Sequence, residues 1–335
     1  MQSNNIPKSI FILGSDRSGT SMIAGTLSEM GFQTSQDLIV SPDVLNSKGY
    51  FESKKLIQFN QSLLKNYQLN ELEFNFELLK KFKDEIMREN NDSINDFIKT
   101  NIINTINNSK NFLFFWKDPR LFKTFILLEN FFNDLKKIDY IGFLNIRKPE
   151  LVSSSIYKRN SIDQNYLITY YLLGINFNLK NLKKAIVFKS ENFLNNPIKI
   201  IRMLKKIMDI EIPNQNLKKL NFPEKKILSS KSAITHFIDP VLYNFSNMIY
   251  EKIEDGHINS NKNIEICDDI EKFFFDNKNF IYNSKDYSKT LYLHSKLRQL
   301  ELSLNRTNKK IIEIEKNFIN NRRSWFHRFF FSKKA

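Results

Sequence analysis

Apolar and polar positions along this chain follow two periods. Four short apolar runs have the length of buried strands: Ser9 to Leu13, Phe112 to Trp116, Tyr140 to Ile146 and Ala185 to Lys189. Between them the pattern changes to helical. A helix is predicted from about Thr20 to Met30, with Gly31 in the position that ends it. A polar, Asn-rich and mostly helical stretch follows from Ser53 to about Ile106, and Pro149 suits the first turn of a helix after the third strand. Strands alternating with helices predict βαβ units and a mostly parallel sheet. Such sheets bind ligands beyond the carboxyl ends of their strands. Strand signals stop near residue 210. Farther on, Leu293, Leu297, Leu300, Leu304, Thr307, Ile311, Ile314 and Phe318 form an alternating four-three seam, the pattern of a coiled coil and of self-association through it.

Composition narrows this picture. Hydrophobic residues make up 41% of the 335 positions, enough for a sizeable core. The net charge of +15 favours an anionic partner. Its densest cluster is terminal, Arg322 to Lys334 with aromatic residues between the cations. That tail predicts peripheral contact with an anionic inner membrane surface. No nucleic-acid recognition motif accompanies the charge, so no nucleic-acid partner is expected. Cys267 is the only cysteine, which predicts a reducing, cytoplasmic home. No apolar run approaches the roughly 20 residues of a membrane span. The four histidines are scattered, and no metal is expected.

Candidate chemistry sits at the strand ends. Gly14-Ser15-Asp16-Arg17-Ser18-Gly19-Thr20-Ser21 joins a strand to a helix, where backbone N–H groups and the helix start make an anion cradle. The spacing fits a P-loop, but Thr20 stands where a nucleotide kinase carries the lysine that clamps the β/γ-phosphates. Arg17 is the loop's one cation. Residues 10 to 21 resemble the 5′-phosphosulfate loop of sulfotransferases that use 3′-phosphoadenosine-5′-phosphosulfate (PAPS), most of all the bacterial carbohydrate-type branch. Arg147 at a strand end, with Ser155 eight residues later, resembles that family's grip on the 3′-phosphate. Asn46 to Glu52, Trp116 to Leu121, Ser190 to Pro197 and Phe237 to Pro240 resemble further segments of the same group.

The resemblance implies a three-layer P-loop NTPase-like α/β fold over residues 6–255. A helical linker (256–285), a coiled coil (286–320) and a basic-aromatic tail (321–335) then follow. It implies transfer of a sulfuryl group from PAPS to a hydroxyl, carried on a carbohydrate or glycan. Arg17 and the loop amides (Gly14 to Ser21) would stabilise the leaving phosphate, and Lys117 would reach the transferring group. Glu52 is the leading candidate for the base and Asp118 the second. Two other functions fit the loop: a P-loop small-molecule kinase, and a non-catalytic nucleotide-binding scaffold acting through its coiled coil.

Overall fold

A computed structural model describes residues 6–39, 49–66, 69, 71, 92–109, 112–135, 138–212, 220 and 238–281, with four isolated positions beyond. The chain divides into two compact units, Met1–Ser284 and Lys285–Ala335. In the first, a five-stranded sheet runs in the order β2-β1-β3-β4-β5. The strands are β1 (Lys8–Leu13), β2 (Leu113–Lys117), β3 (Asp139–Ile146), β4 (Ala185–Lys189) and β5 (Gly256–His257). The first four are parallel, and β5 pairs antiparallel with β4. The chain leaves β1 for β2 on one side and returns past it to β3 on the other. This reversal opens a crevice at the carboxyl ends of β1, β2 and β3, where such sheets take their ligands.

Alternation along β1 splits the core into two layers. Ile10 and Ile12 face helices α1 (Thr20–Glu29) and α9 (Pro197–Met208), packing with Ile23, Phe143, Phe188, Ile200 and Leu204. Phe11 faces the other way, onto α5 (Leu121–Leu135), with its ring centroid 4.9 Å from both Phe125 and Phe132. Helices α6 (Pro149–Asn160) and α7 (Gln164–Asn181) extend this second layer. Pro149 opens α6, as its fixed φ and missing N–H favour. Gly31 ends α1 at φ +93°, a conformation that costs glycine little.

Residues 56 to 64 on α2 (Lys54–Asn66) bury Leu56, Leu63 and Leu64. A second helical stretch comprises α3 (Asp92–Phe97), a π-helix (Ile98–Ile103) and α4 (Asn104–Asn107). Residues 256–281 do not stand apart from the sheet. β5 extends it by two residues, too few for any period to show in the sequence. In α11 (Asn261–Asp276), Ile266, Cys267, Ile270 and Phe274 form a buried stripe packed on α7. Helices α8 (Ser190–Asn195) and α10 (Pro240–Lys252) complete the first unit.

In the second unit only Leu304, Thr307, Asn308 and Ile311 are described. All four are helical, and Leu304 and Ile311 are exposed. The rest of the expected coiled coil and the whole basic-aromatic tail (321–335) lie outside the described residues, as do residues 46–48 and Phe237 of the resembling segments. No described helix is long and apolar enough to cross a membrane.

The Phe11 contacts define the aromatic layer, and its ring is fully buried. Phe11→Ala is expected to cost about 3–5 kcal/mol in urea unfolding. A loss below about 1 kcal/mol would mean that this layer repacks and does not anchor the sheet.

Candidate active site

The loop after β1 is shaped by what it excludes. A Cβ on Gly14 would lie 2.6 Å from Ser18 Oγ and 3.0 Å from the Asn145 carbonyl, so only glycine fits. Gly19 (φ +99°) and Arg17 (φ +66°) both take left-handed backbone conformations before α1 begins. Such a conformation is costly for a residue with a side chain, and its occurrence at Arg17 fits a functional loop. The protein side of the loop is fully engaged. Ser15 O accepts from Ser18 Oγ at 2.7 Å, and Ser18 O accepts from Asn145 Nδ2 at 2.7 Å and Ser190 Oγ at 2.6 Å. Asn145 and Ser190 are themselves joined, Ser190 Oγ standing 2.8 Å from Asn145 Oδ1. With these carbonyls committed, the amides at the helix start are what the loop offers an anion.

Arg17, Arg147 and Ser155 meet at the loop. Arg17 Nε donates to Ser155 Oγ at 2.9 Å, and Arg147 Nη1 donates to Arg17 O at 2.9 Å. Arg147 is only 5% exposed. Burial pushes its pKa below the ordinary guanidinium value, with the charge of Glu191 opposing the shift. Tyr171 fixes its backbone, accepting from Arg147 N at 2.8 Å and donating to Arg147 O at 3.0 Å. Arg159 on α6 pairs with Asp16. Burial pushes the Asp16 carboxyl up, but Arg159, with Arg17 and Lys117, holds it below its usual range.

The second wall of the crevice carries a buried ion pair. Lys117, at the end of β2, pairs with Glu52 at the start of α2, the two being 3% and 7% exposed. Lys117 Nζ also lies 6.0 Å from the centre of the Tyr50 ring. Gly49 (φ +95°) and Phe51 (φ +56°) bend the chain so that Glu52 turns inward, and the Phe51 ring packs edge-on to Phe115. Burial raises the Glu52 carboxyl above the usual carboxylate range, and the charge and hydrogen bond of Lys117 offset only part of that rise. Ile12, at the end of β1, lies opposite Lys117, so this wall stands beside the start of the loop.

Asp118 is engaged differently. It is 1% exposed and accepts from Asn60 Nδ2 at 2.8 Å, Arg120 Nη1 at 2.8 Å and Arg120 N at 3.1 Å. Thr124 Oγ1 extends the network to Asn60 Oδ1 at 2.8 Å, and Arg120 continues it to Glu71. The carboxylate therefore holds Arg120 and α2 in place.

Several residues that complete the site were not singled out from sequence: Asn145, Tyr171, Arg159 and Asn60. Ser190 was marked only as the first residue of a resembling segment, and Asn145 left a trace as a polar side chain inside an otherwise apolar strand two residues before Arg147. The others come from helices whose distance along the chain hides their proximity.

No protein-family model and no curated protein matches the chain. Among solved structures it is similar to the sulfotransferase domain of the Synechococcus PCC 7002 olefin synthase. Identity is 13%, over 82% of this chain and 96% of that one, at a TM-score of 0.39. It is also similar to a sulfotransferase domain from the curacin biosynthetic pathway, at 16% identity, 79% and 98% coverage and a TM-score of 0.37. Likeness of this degree leaves the chemistry to be read from the chain's own residues.

Asn145→Ala would leave the buried Ser18 carbonyl with one donor fewer, held by Ser190 alone of the two side chains. Stability should fall by about 1–3 kcal/mol in chemical denaturation, and anion binding at the loop should weaken with it. Unchanged stability would show that the loop is held by other contacts.

Proposed function

We propose that this chain is a PAPS-dependent sulfotransferase that moves a sulfuryl group onto a hydroxyl, with a carbohydrate or glycan as the acceptor class. The observation that carries this is the junction of Arg17, Arg147 and Ser155 at the phosphate loop. The loop offers amides and one cation to a first anionic group. Arg147 and Ser155 offer a second cation and a hydroxyl beside it. That is the donor set for a nucleotide carrying two separate phosphate groups. Thr20 in place of a lysine argues against a kinase that must clamp a triphosphate.

When bound, the donor supplies an activated sulfuryl group on a phosphate leaving group. The chain's own residues then have distinct tasks. Arg17 and the loop amides offset charge on the leaving phosphate, as preorganised donors that need no reorientation. Lys117 brings a cation to the group in transfer. Glu52 accepts the proton of the acceptor hydroxyl, because among the described residues its carboxylate is engaged by Lys117 alone, while that of Asp118 is committed to Asn60 and Arg120. Pairing with Lys117 favours the ionised form that a base needs, against the burial that disfavours it.

Calorimetry should show 3′,5′-ADP binding well, with ATP and Mg²⁺ much weaker. Arg147→Ala should lower affinity for 3′,5′-ADP by roughly tenfold or more while sparing 5′-AMP, because a charged hydrogen bond is worth about 1.5–3 kcal/mol. Equal losses for both ligands would remove Arg147 from the second phosphate site.

Glu52 must be ionised to act, and its pKa lies above the usual carboxylate range. Sulfuryl transfer should therefore rise with pH along an acid limb centred above that range. Glu52→Gln should leave 3′,5′-ADP affinity intact, lower kcat by about two orders of magnitude or more, and abolish the limb. A variant with the same limb and the same turnover would reject Glu52 as the base.

A further inference from the structure

The β2 edge of the sheet carries a feature that the proposed chemistry does not use. Gln33 pairs in parallel beside Phe114, and the segment 32–38 continues from there to Leu38, which is bridged to Ser53. Between this segment and the π-helix with α4 lies an open groove of about 910 Å³, floored by Phe114 and Trp116. Its volume is near the upper end of the roughly 300–1,000 Å³ typical of small-molecule sites.

The lining is neutral and rich in hydrogen-bonding groups. Thr34, Gln36, Asn104 and Asn108 line it, and none of their side chains has a hydrogen-bond partner among the described residues. Asp37 is the acidic group of the lining, and its carboxylate is engaged by Ser35, Ser53 and the Lys55 amide. Lys55 is the one cation of the described lining. Such a surface suits neither a polyanion nor an acyl chain. Amides and hydroxyls that both donate and accept suit a ligand dense in hydroxyls.

Two observations point to a ligand independently of that composition. Trp116 lines the groove and is 2% exposed, and its indole N–H is buried without an acceptor among the described residues. Indole N–H groups normally find a partner when buried, and one left unpaired is costly. The facing wall includes a π-helix, whose wider turn carries Thr100 and Asn101 on the groove. Insertions of that kind are rare and often mark functional sites.

We infer that this groove binds an extended neutral oligosaccharide, holding the part of the acceptor remote from the reacting hydroxyl. Ser53 and Trp116 line it, and each is one residue along the chain from Glu52 or Lys117. Glu52 and Lys117 themselves do not line it. The groove therefore adjoins the reaction centre without being part of it. The role as an acceptor subsite rests on the sulfotransferase proposal, whereas oligosaccharide binding does not.

Trp116 and Trp325 are the only tryptophans, so the emission of a Trp325→Phe protein reports on the groove floor alone. That protein should be titrated with a panel of neutral gluco-, manno-, xylo- and chito-hexasaccharides, and separately with 3′,5′-ADP. At least one hexasaccharide should shift Trp116 emission saturably. Asn104→Phe and Asn108→Phe, at exposed positions, should fill the groove and weaken that binding by about tenfold or more without changing 3′,5′-ADP affinity. No saturable shift with any member, or a shift that both substitutions leave unchanged, would overturn the inference. If hexasaccharides bind and 3′,5′-ADP does not, the groove stands and the proposed reaction falls. If 3′,5′-ADP binds and no hexasaccharide does, the groove alone falls.

Discussion

The carbonyl of Ser18 is the point on which the site depends. It is held by Asn145 at the end of β3 and by Ser190 just past the end of β4, two elements far from it in sequence. Register makes this possible. Leu13 lies opposite Leu144, and Ile146 opposite Lys189, so the ends of three neighbouring strands fall at one level. A slip of one residue in β3 would turn Asn145 to the other face and bring a neighbouring apolar side chain under the loop. The loop would then keep its glycines and lose its seat. The same register brings Arg147 to Arg17, so the shape of the anion cradle and its second cation are set together.

The charges around the crevice are kept at a cost in stability. Arg147, Lys117 and Glu52 are nearly buried, and each loses hydration on folding. Lys117 and Glu52 recover part of that loss from each other. Removing one member of such a pair typically costs about 3–5 kcal/mol, because the other is left buried and uncompensated. Arg147 is compensated through Arg17 O and the charge of Glu191. A core designed for stability alone would place apolar residues here. Buried cations around a glycine-shaped loop make sense if an anion completes the balance.

The two sides of β2 differ in character. At its carboxyl end Lys117 pairs with Glu52, while Trp116, one residue earlier, lines the neutral groove at the sheet edge. This is the alternation of a strand, with a buried ion pair on one side and a hydrogen-bonding surface on the other. The Asp118 network with Asn60, Thr124 and Arg120 lies directly after β2 and ties α2 to α5, holding both walls against the strand.

Much of this architecture was legible in the chain alone. Short, mostly apolar runs marked the four parallel strands to within a residue at each end. Gly14, Gly19 and Arg17 marked the turn between β1 and α1, because a strand, a glycine turn and a helix start are adjacent in sequence and need no distant partner. The spacing of Arg147 and Ser155 was equally local, one helical stretch after one strand end. Other features depend on contacts between distant segments and were decided only by tertiary structure. Asn145 and Ser190 become anchors only when β1, β3 and β4 align. The sequence ranked Glu52 ahead of Asp118 as the base, but only packing placed Asn60 and Arg120 on the oxygens of Asp118. Residues 256–281 carried no strand pattern, since β5 is two residues long, yet α11 buries its stripe against α7. Local periodicity encodes which elements form. The partner that each polar side chain meets is set by how those elements stack, since burial and hydrogen bonding are properties of neighbours in space.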